Sequence, residues 1–199
     1  RPTKSREYWQ NTETDMRELA LNILDITENS ISAGATLIEI GVSADFEKDV
    51  LRICIVDNGC GMDEEMLARV TDPFTTTRTT RKVGMGLPLF KFSAESAGGE
   101  FSIRSEKGKG TKVCASYQIS HVDRMPLGDF GGVALQLVTM NPQADFRITA
   151  ESGDRRGALD TREVREILGE GVPLSSPEVR MFLKEYIQEN LVDIFGGRL

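Results

Sequence analysis

Leu51-Arg-Ile-Cys-Ile-Val-Asp57-Asn58-Gly59-Cys60-Gly61-Met62 is the stretch that decides how the chain folds. It opens as a run of β-branched and apolar residues, the composition of a buried strand. It then stops in Asp-Asn-Gly-Cys-Gly, where two glycines permit backbone angles closed to other residues and let a ligand come close. A carboxylate at the tip of a buried strand, followed by open backbone, suits a flat ligand with a polar edge. Asp57 can accept a hydrogen bond from an amino group such as the adenine N6, and Gly59 and Gly61 leave room for a ring. Taken alone, the same residues also describe a strand and an Asn-Gly turn.

Upstream, residues 36–42 alternate as a strand, 45–49 make a turn, and 50–56 is read as the antiparallel partner. Before them, 13–32 has helical periodicity, with Leu19, Ile23, Ile26 and Ser30 on one side. Glu18, Asn22, Asp25 and Asn29 form a polar stripe on another face, which either meets solvent or lines a polar cavity. Downstream, Asp63 caps a helix running to residue 70. Residues 71–82 are hydroxyl-rich and basic and read as a flexible loop. Gly84-Met85-Gly86-Leu87 precedes a helix over 87–97, an arrangement that offers backbone N–H groups to an anion. With Arg78, Arg81 and Lys82 just ahead, it is a candidate triphosphate cradle under a basic lid. Residues 100–105 and 111–119 read as a β-hairpin.

Of the 199 residues, 39% are hydrophobic and 28% charged, enough to bury a core. The net charge of −7 argues against sequence-independent nucleic-acid binding and against a polybasic membrane contact. No apolar run approaches the roughly 18 residues of a membrane span, and residues 1–10 do not read as a signal peptide. Cys54, Cys60 and Cys114 are few and scattered, which suggests reduced thiols in a cytoplasmic protein.

The ordered set Glu28-Asn29, Asp57-X-Gly59-X-Gly61, Gly84-X-Gly86-Leu87 and Gly108-X-Gly110-Thr111 resembles the four ATP-binding boxes of the superfamily of gyrase B, the heat-shock chaperones, histidine kinases and MutL. The resemblance implies the Bergerat ATP-binding fold, an α/β two-layer sandwich with a mixed sheet and helices on one face. It implies ATP and Mg²⁺ as ligands: Asn29 on the metal, Asp57 on the adenine amino group, and Gly59, Gly61 and Met62 as the adenine wall. Residues 75–82, with Thr77, Arg78 and Lys82, would be the ATP lid; Gly84, Met85, Gly86 and Leu87 would hold phosphates, and Thr111 would reach adenine through water. One amide oxygen suffices for Mg²⁺, which keeps several waters, and cations on a lid can offset charge on a transferred phosphoryl group.

Glu28 to Thr36 is similar to the MutL helix and its exit, where a glutamate four residues before the metal asparagine activates water. Here Asp25, one methylene shorter, holds that position, so Asp25 and Glu28 are the candidate catalytic carboxylates. Asp72-Pro-Phe-Thr-Thr-Thr-Arg78 with Gly84-Met-Gly-Leu87 is similar to the catalytic half of a sensor histidine kinase. The function expected is therefore phosphoryl transfer to a partner protein that carries the phosphoacceptor. The alternatives are an ATP-gated switch or slow MutL-like ATPase, and a serine kinase resembling anti-sigma factors. His121, the only histidine, reads as a linker residue. Residues 1–12 are expected to be a leader, 13–124 the ATP-binding domain, and 125–199 a small α+β appendage for interaction or dimerisation, which leaves a homodimer open.

Overall fold

The computed structural model describes residues 18–70, 86–169 and 171–199. The expected leader and lid therefore lie outside the described residues, as do Thr77, Arg78, Lys82, Gly84 and Met85. The chain order is α1 (Leu19–Ser32), β1 (Leu37–Asp45), β2 (Val50–Asp57), α2 (Glu64–Val70), α3 (Gly86–Ser96), β3 (Phe101–Glu106) and β4 (Gly110–Gln118). Then come α4 (Phe130–Met140), β5 (Asp145–Ser152), β6 (Arg155–Asp160), α5 (Thr161–Leu168) and α6 (Pro177–Ile187), followed by a π turn (Gln188–Val192) and a 3-10 turn (Asp193–Phe195).

The six strands form one mixed sheet in the order β3-β4-β2-β1-β5-β6. The β1–β2 hairpin is antiparallel as expected, with Ile40 opposite Ile55. The alternation in β2 is the reason the strand works. Leu51, Ile53, Ile55 and Asp57 are buried on one face, while Arg52, Cys54 and Val56 are turned the other way and are less buried. Ile38, Ile40 and Val42 of β1 and Val113, Ala115 and Tyr117 of β4 continue the buried face. Leu19, Ile23 and Ile26 of α1 and Phe90 and Ala94 of α3 join the same core. Phe90 sets its ring edge-on to Phe101, with centroids 6.3 Å apart. Helices thus line one side of the sheet, the two-layer sandwich expected.

The segment after residue 124, expected to stand as an appendage, is built into this sheet. β5 pairs in parallel with β1 from Leu37–Asp145 to Ala44–Ser152, and β6 extends the sheet from β5. Phe130, Leu137, Phe146 and Ile148 belong to the common core. The joint is also made of backbone. The first amides of a helix have no partner within it, and here Leu19 N donates to Pro126 O at 3.0 Å and Ala20 N to Leu127 O at 2.9 Å. Glu18 Oε2 accepts from Asp129 N on the same joint. The outer edge, β6, is covered by the end of α6 and the π turn after it: a side chain at Gly157 would strike the Asn190 carbonyl, and the Tyr186 hydroxyl donates to Ala158 O.

One expectation is overturned. Cys54 and Cys114 are not reduced thiols but a disulfide, with Cα atoms 4.2 Å apart. They face each other across β2 and β4 on the side of the sheet away from α1, at directly opposed positions, where antiparallel side chains come closest. Cys60 alone is a free, exposed thiol. The thiol-based support for a cytoplasmic setting goes with that correction.

Candidate functional site

The site is assembled around α1. Its C-terminal end and the loop after β2 lock together through hydrogen bonds that the sequence dictates locally. Asn58 Oδ1 accepts from Thr36 N and Leu37 N, both at 2.9 Å, so the asparagine after β2 holds the start of β1. Cys60 N donates to Ala33 O at 2.9 Å, which seats the loop on the exit of the helix. Glycine is required twice. Gly61, at φ 62°, has no room for a Cβ beside the Glu106 carbonyl, and Gly110, at φ 107°, has none beside the Asp57 carbonyl.

These contacts fix Asp57 at the end of its strand, 9% exposed. Its Oδ1 accepts from Gly59 N at 2.9 Å and from Thr111 N at 3.2 Å. Its Oδ2 accepts from the Ser30 hydroxyl at 2.7 Å. Three donors on one carboxylate fix its orientation. Thr111 stands opposite Asp57 in the β2–β4 register, and its hydroxyl meets that of Ser105 at 2.9 Å. Ser105 also accepts from Met62 N at 2.8 Å, which places Met62, half-buried, beside the same cleft.

The other end of the site lies against α3. A Cβ at Gly86 would sit 3.1 Å from Asp25 Cβ, 3.8 Å from Asp25 Oδ2 and 3.8 Å from Asn29 Nδ2. The absence of a side chain at the first residue of α3 lets the helix start approach both polar groups of α1. Gly86 and Leu87 are buried, and Pro88 sits in the first turn, where its missing N–H is harmless. The polar stripe of α1 therefore lines a junction between helices. Asp25 is half-buried there, and burial pushes its carboxyl above the ordinary carboxylate value.

The structure thus brings together Asp25, Asn29, Gly86 and Leu87 at one end, and Asp57, Gly59, Gly61, Met62 and Thr111 at the other, with α1 joining them. Glu28 is not part of this set. It is exposed, because one residue from Asn29 is about 100° around the helix. Ser30, Asn58 and Ser105 were missed by the sequence reading. Ser30 sits on the apolar side of the helix beside Asn29, and a hydroxyl at such a position is the signal that could have found it.

A magnesium ion needs little from the protein when phosphates and water supply the rest. Among the described residues no group of three or more His, Cys, Asp or Glu side chains converges to hold a metal unaided. A single half-buried carboxamide beside a helix start, as at Asn29, fits an ion that arrives with its own oxygen ligands.

Residues 13–120 match the family described as histidine kinase-, DNA gyrase B-, and HSP90-like ATPase. The chain belongs to that family. Among curated relatives, the sensor protein kinase FleS of Pseudomonas aeruginosa is 37% identical over 105 residues, which is 53% of this chain and 25% of that protein. The non-motile and phage-resistance protein of Caulobacter vibrioides is 29% identical over 127 residues, 59% of this chain and 15% of that protein. The chain thus spans a quarter or less of the length of these relatives. A solved structure, the N-terminal domain of a DNA repair protein, superposes with a TM-score of 0.51 at 17% identity, over 72% of this chain and 52% of that one. It has the same fold. No helix among the described residues is long and apolar enough to cross a membrane.

Proposed function

We propose that the domain binds Mg²⁺-ATP along α1 and transfers the γ-phosphoryl group to a partner protein that carries the acceptor side chain. The observation that carries this reading is the common helix. The carboxylate suited to an adenine amino group is tied to Ser30, while Asn29 and Asp25 on the same helix meet the start of α3. Asp57 would select the purine by its amino group, with Gly59, Gly61, Met62 and Thr111 around the ring. Asn29 would ligate Mg²⁺, and the ion would draw charge from the phosphate oxygens. The first amides of α3, at Gly86 and Leu87, would take a phosphate oxygen. Thr77, Arg78, Lys82, Gly84 and Met85, outside the described residues, are assigned to the lid and cradle by the family resemblance alone.

A second reading, hydrolysis, is favoured by Asp25. A carboxylate raised by burial is a better proton acceptor than an exposed one, and it stands where the transferred group would lie.

Incubation with γ-labelled ATP and Mg²⁺, with and without a histidine-bearing acceptor domain from a sensor kinase, separates the readings. Acid-labile label on the acceptor supports transfer to histidine, acid-stable label supports a serine kinase, and free phosphate supports an ATPase. Binding of a non-hydrolysable analogue with none of these products leaves an ATP-gated switch. Failure to bind the analogue at all rejects the site.

A further inference from the structure

The stripe on α1 carries one group that neither reading has used. Asn22 is 5% exposed, and its Nδ2 has no hydrogen-bond partner among the described residues. A buried amide with an idle donor costs stability, and folded proteins rarely keep one without use. Asn22 lies three residues before Asp25 and seven before Asn29, the spacing of a single helix face. The approach of Gly86 to Asp25 and Asn29 shows that this face lines the junction with α3.

Distance along the helix orders the stripe. At a rise of about 1.5 Å per residue, Asp25 lies roughly 6 Å along the axis from Asn29, and Asn22 about 4.5 Å beyond Asp25. With the adenine end at Ser30 and Asp57 and the metal at Asn29, the phosphoryl group to be transferred falls beside Asp25. The nucleophile, which must approach in line from the far side, falls toward Asn22.

We infer that Asn22 is a positioning residue for an attacking water, so that the domain hydrolyses its own ATP. The inference rests on the ATP-binding reading above. Nδ2–H of Asn22 donates to one lone pair of the water oxygen and turns another toward the γ-phosphorus. The water's proton passes to the Asp25 carboxylate as the new O–P bond forms. The bond from the γ-phosphorus to the bridging oxygen breaks, and its electron pair leaves with ADP. Asp25 then returns the proton to solvent or to phosphate.

The test uses the whole chain and two near-isosteric variants, Asn22→Leu and Asn22→Asp, both of which lack the amide donor. Four readouts are followed: binding of a non-hydrolysable ATP analogue with Mg²⁺, free-phosphate release from ATP, thermal midpoint, and the Asn22 side-chain amide resonance in ¹⁵N-labelled wild-type protein. The expected result is phosphate release by the wild type and a roughly 10- to 100-fold fall in kcat in both variants. KM and analogue affinity should stay within twofold. Asn22→Leu should melt higher than wild type, because an apolar side chain removes the idle donor, and the wild-type amide resonance should shift when analogue binds. A residue with only a packing role would not couple a higher midpoint to slower turnover. Wild type that binds analogue but releases no phosphate, or an Asn22→Leu variant that hydrolyses at the wild-type rate, overturns the inference and leaves ATP binding standing. Wild type that does not bind analogue overturns both. Should Asn22→Leu fail to fold, the rate and affinity of Asn22→Asp decide, and an unchanged rate there counts against the role.

Discussion

Asp57→Asn tests the adenine end with a single atom. The carboxylate accepts from Gly59 N and Thr111 N through Oδ1 and from the Ser30 hydroxyl through Oδ2. Asparagine can keep both backbone donors on its one oxygen. Its Nδ2 then faces Ser30, whose hydroxyl can accept from it and turn its proton toward Ile26 O, now 3.4 Å away. The fold has a way to absorb the change, so the thermal midpoint should move by only a few degrees. The ligand has no such way. Its amino group loses a charged acceptor, worth roughly 1–3 kcal/mol, which is about a 5- to 150-fold rise in Kd. Calorimetric titration with a non-hydrolysable ATP analogue and Mg²⁺ measures that loss. Inosine triphosphate, with an oxygen in place of the amino group, supplies the control. Wild type should prefer the adenine nucleotide, and the variant, which offers an N–H donor, should lose that preference or reverse it. An unchanged preference, whatever the absolute affinities, would refute the assignment of Asp57 to the amino group.

Asn29→Ala should weaken analogue binding with Mg²⁺ far more than in EDTA, and equal losses in the two titrations would exclude Asn29 as a metal ligand. Because burial raises the Asp25 pKa in the fold, the unfolded chain gives up its proton at lower pH; stability is full below the ordinary carboxylate value and falls as pH rises through the folded pKa. Asp25→Asn should therefore raise the midpoint at pH 7 while slowing phosphate release, and a midpoint difference that does not change with pH would contradict this. The disulfide closes a segment with a sequence separation of 60, for which chain entropy gives about 4 kcal/mol. Dithiothreitol should accordingly lower the midpoint by about 8–16 °C, and a Cys54→Ser/Cys114→Ser variant should be indifferent to it. Cutting the chain after residue 124 removes Phe130, Leu137, Phe146 and Ile148 from the core; at about 1.5–3 kcal/mol each they amount to roughly the whole stability of a domain, so the truncated protein should aggregate or melt without cooperativity.

Legibility in the sequence followed the range over which each feature is decided. The alternation of β2 and the glycines after Asp57 are local, and they mark the end of β2 as a candidate ligand contact from sequence alone. The polar stripe of α1 was equally visible, but whether it met water or a cavity depended on where Gly86 lies, sixty residues away in the chain. The Cys54–Cys114 pair depends on the β2–β4 register, which neither strand states alone. The parallel pairing of β5 with β1 was hidden for the same reason: nothing near either strand specifies its neighbour. Composition around Pro126–Asp129 reads as a boundary, yet the carbonyls of Pro126 and Leu127 serve as the missing partners of the first turn of α1.

That last feature gives the later half of the chain its place in the mechanism. α1 carries the side chains proposed to touch the metal and the attacking water, and its far end reaches the Asp57 carboxylate through Ser30. A helix in that role must not slide, because a shift of one residue moves its side chains by about 1.5 Å and turns them by about 100°. The exit is held by Cys60 N on Ala33 O, and the entry by Leu19 N and Ala20 N on Pro126 O and Leu127 O. Between them, Leu19, Ile23 and Ile26 are buried in the common core under the sheet. The residues beyond the family match thus clamp the helix at the end where Asn22 and Asp25 lie, and the two ends of the candidate site are referred to one rod. Any conformational gating of this domain must therefore act through elements other than α1.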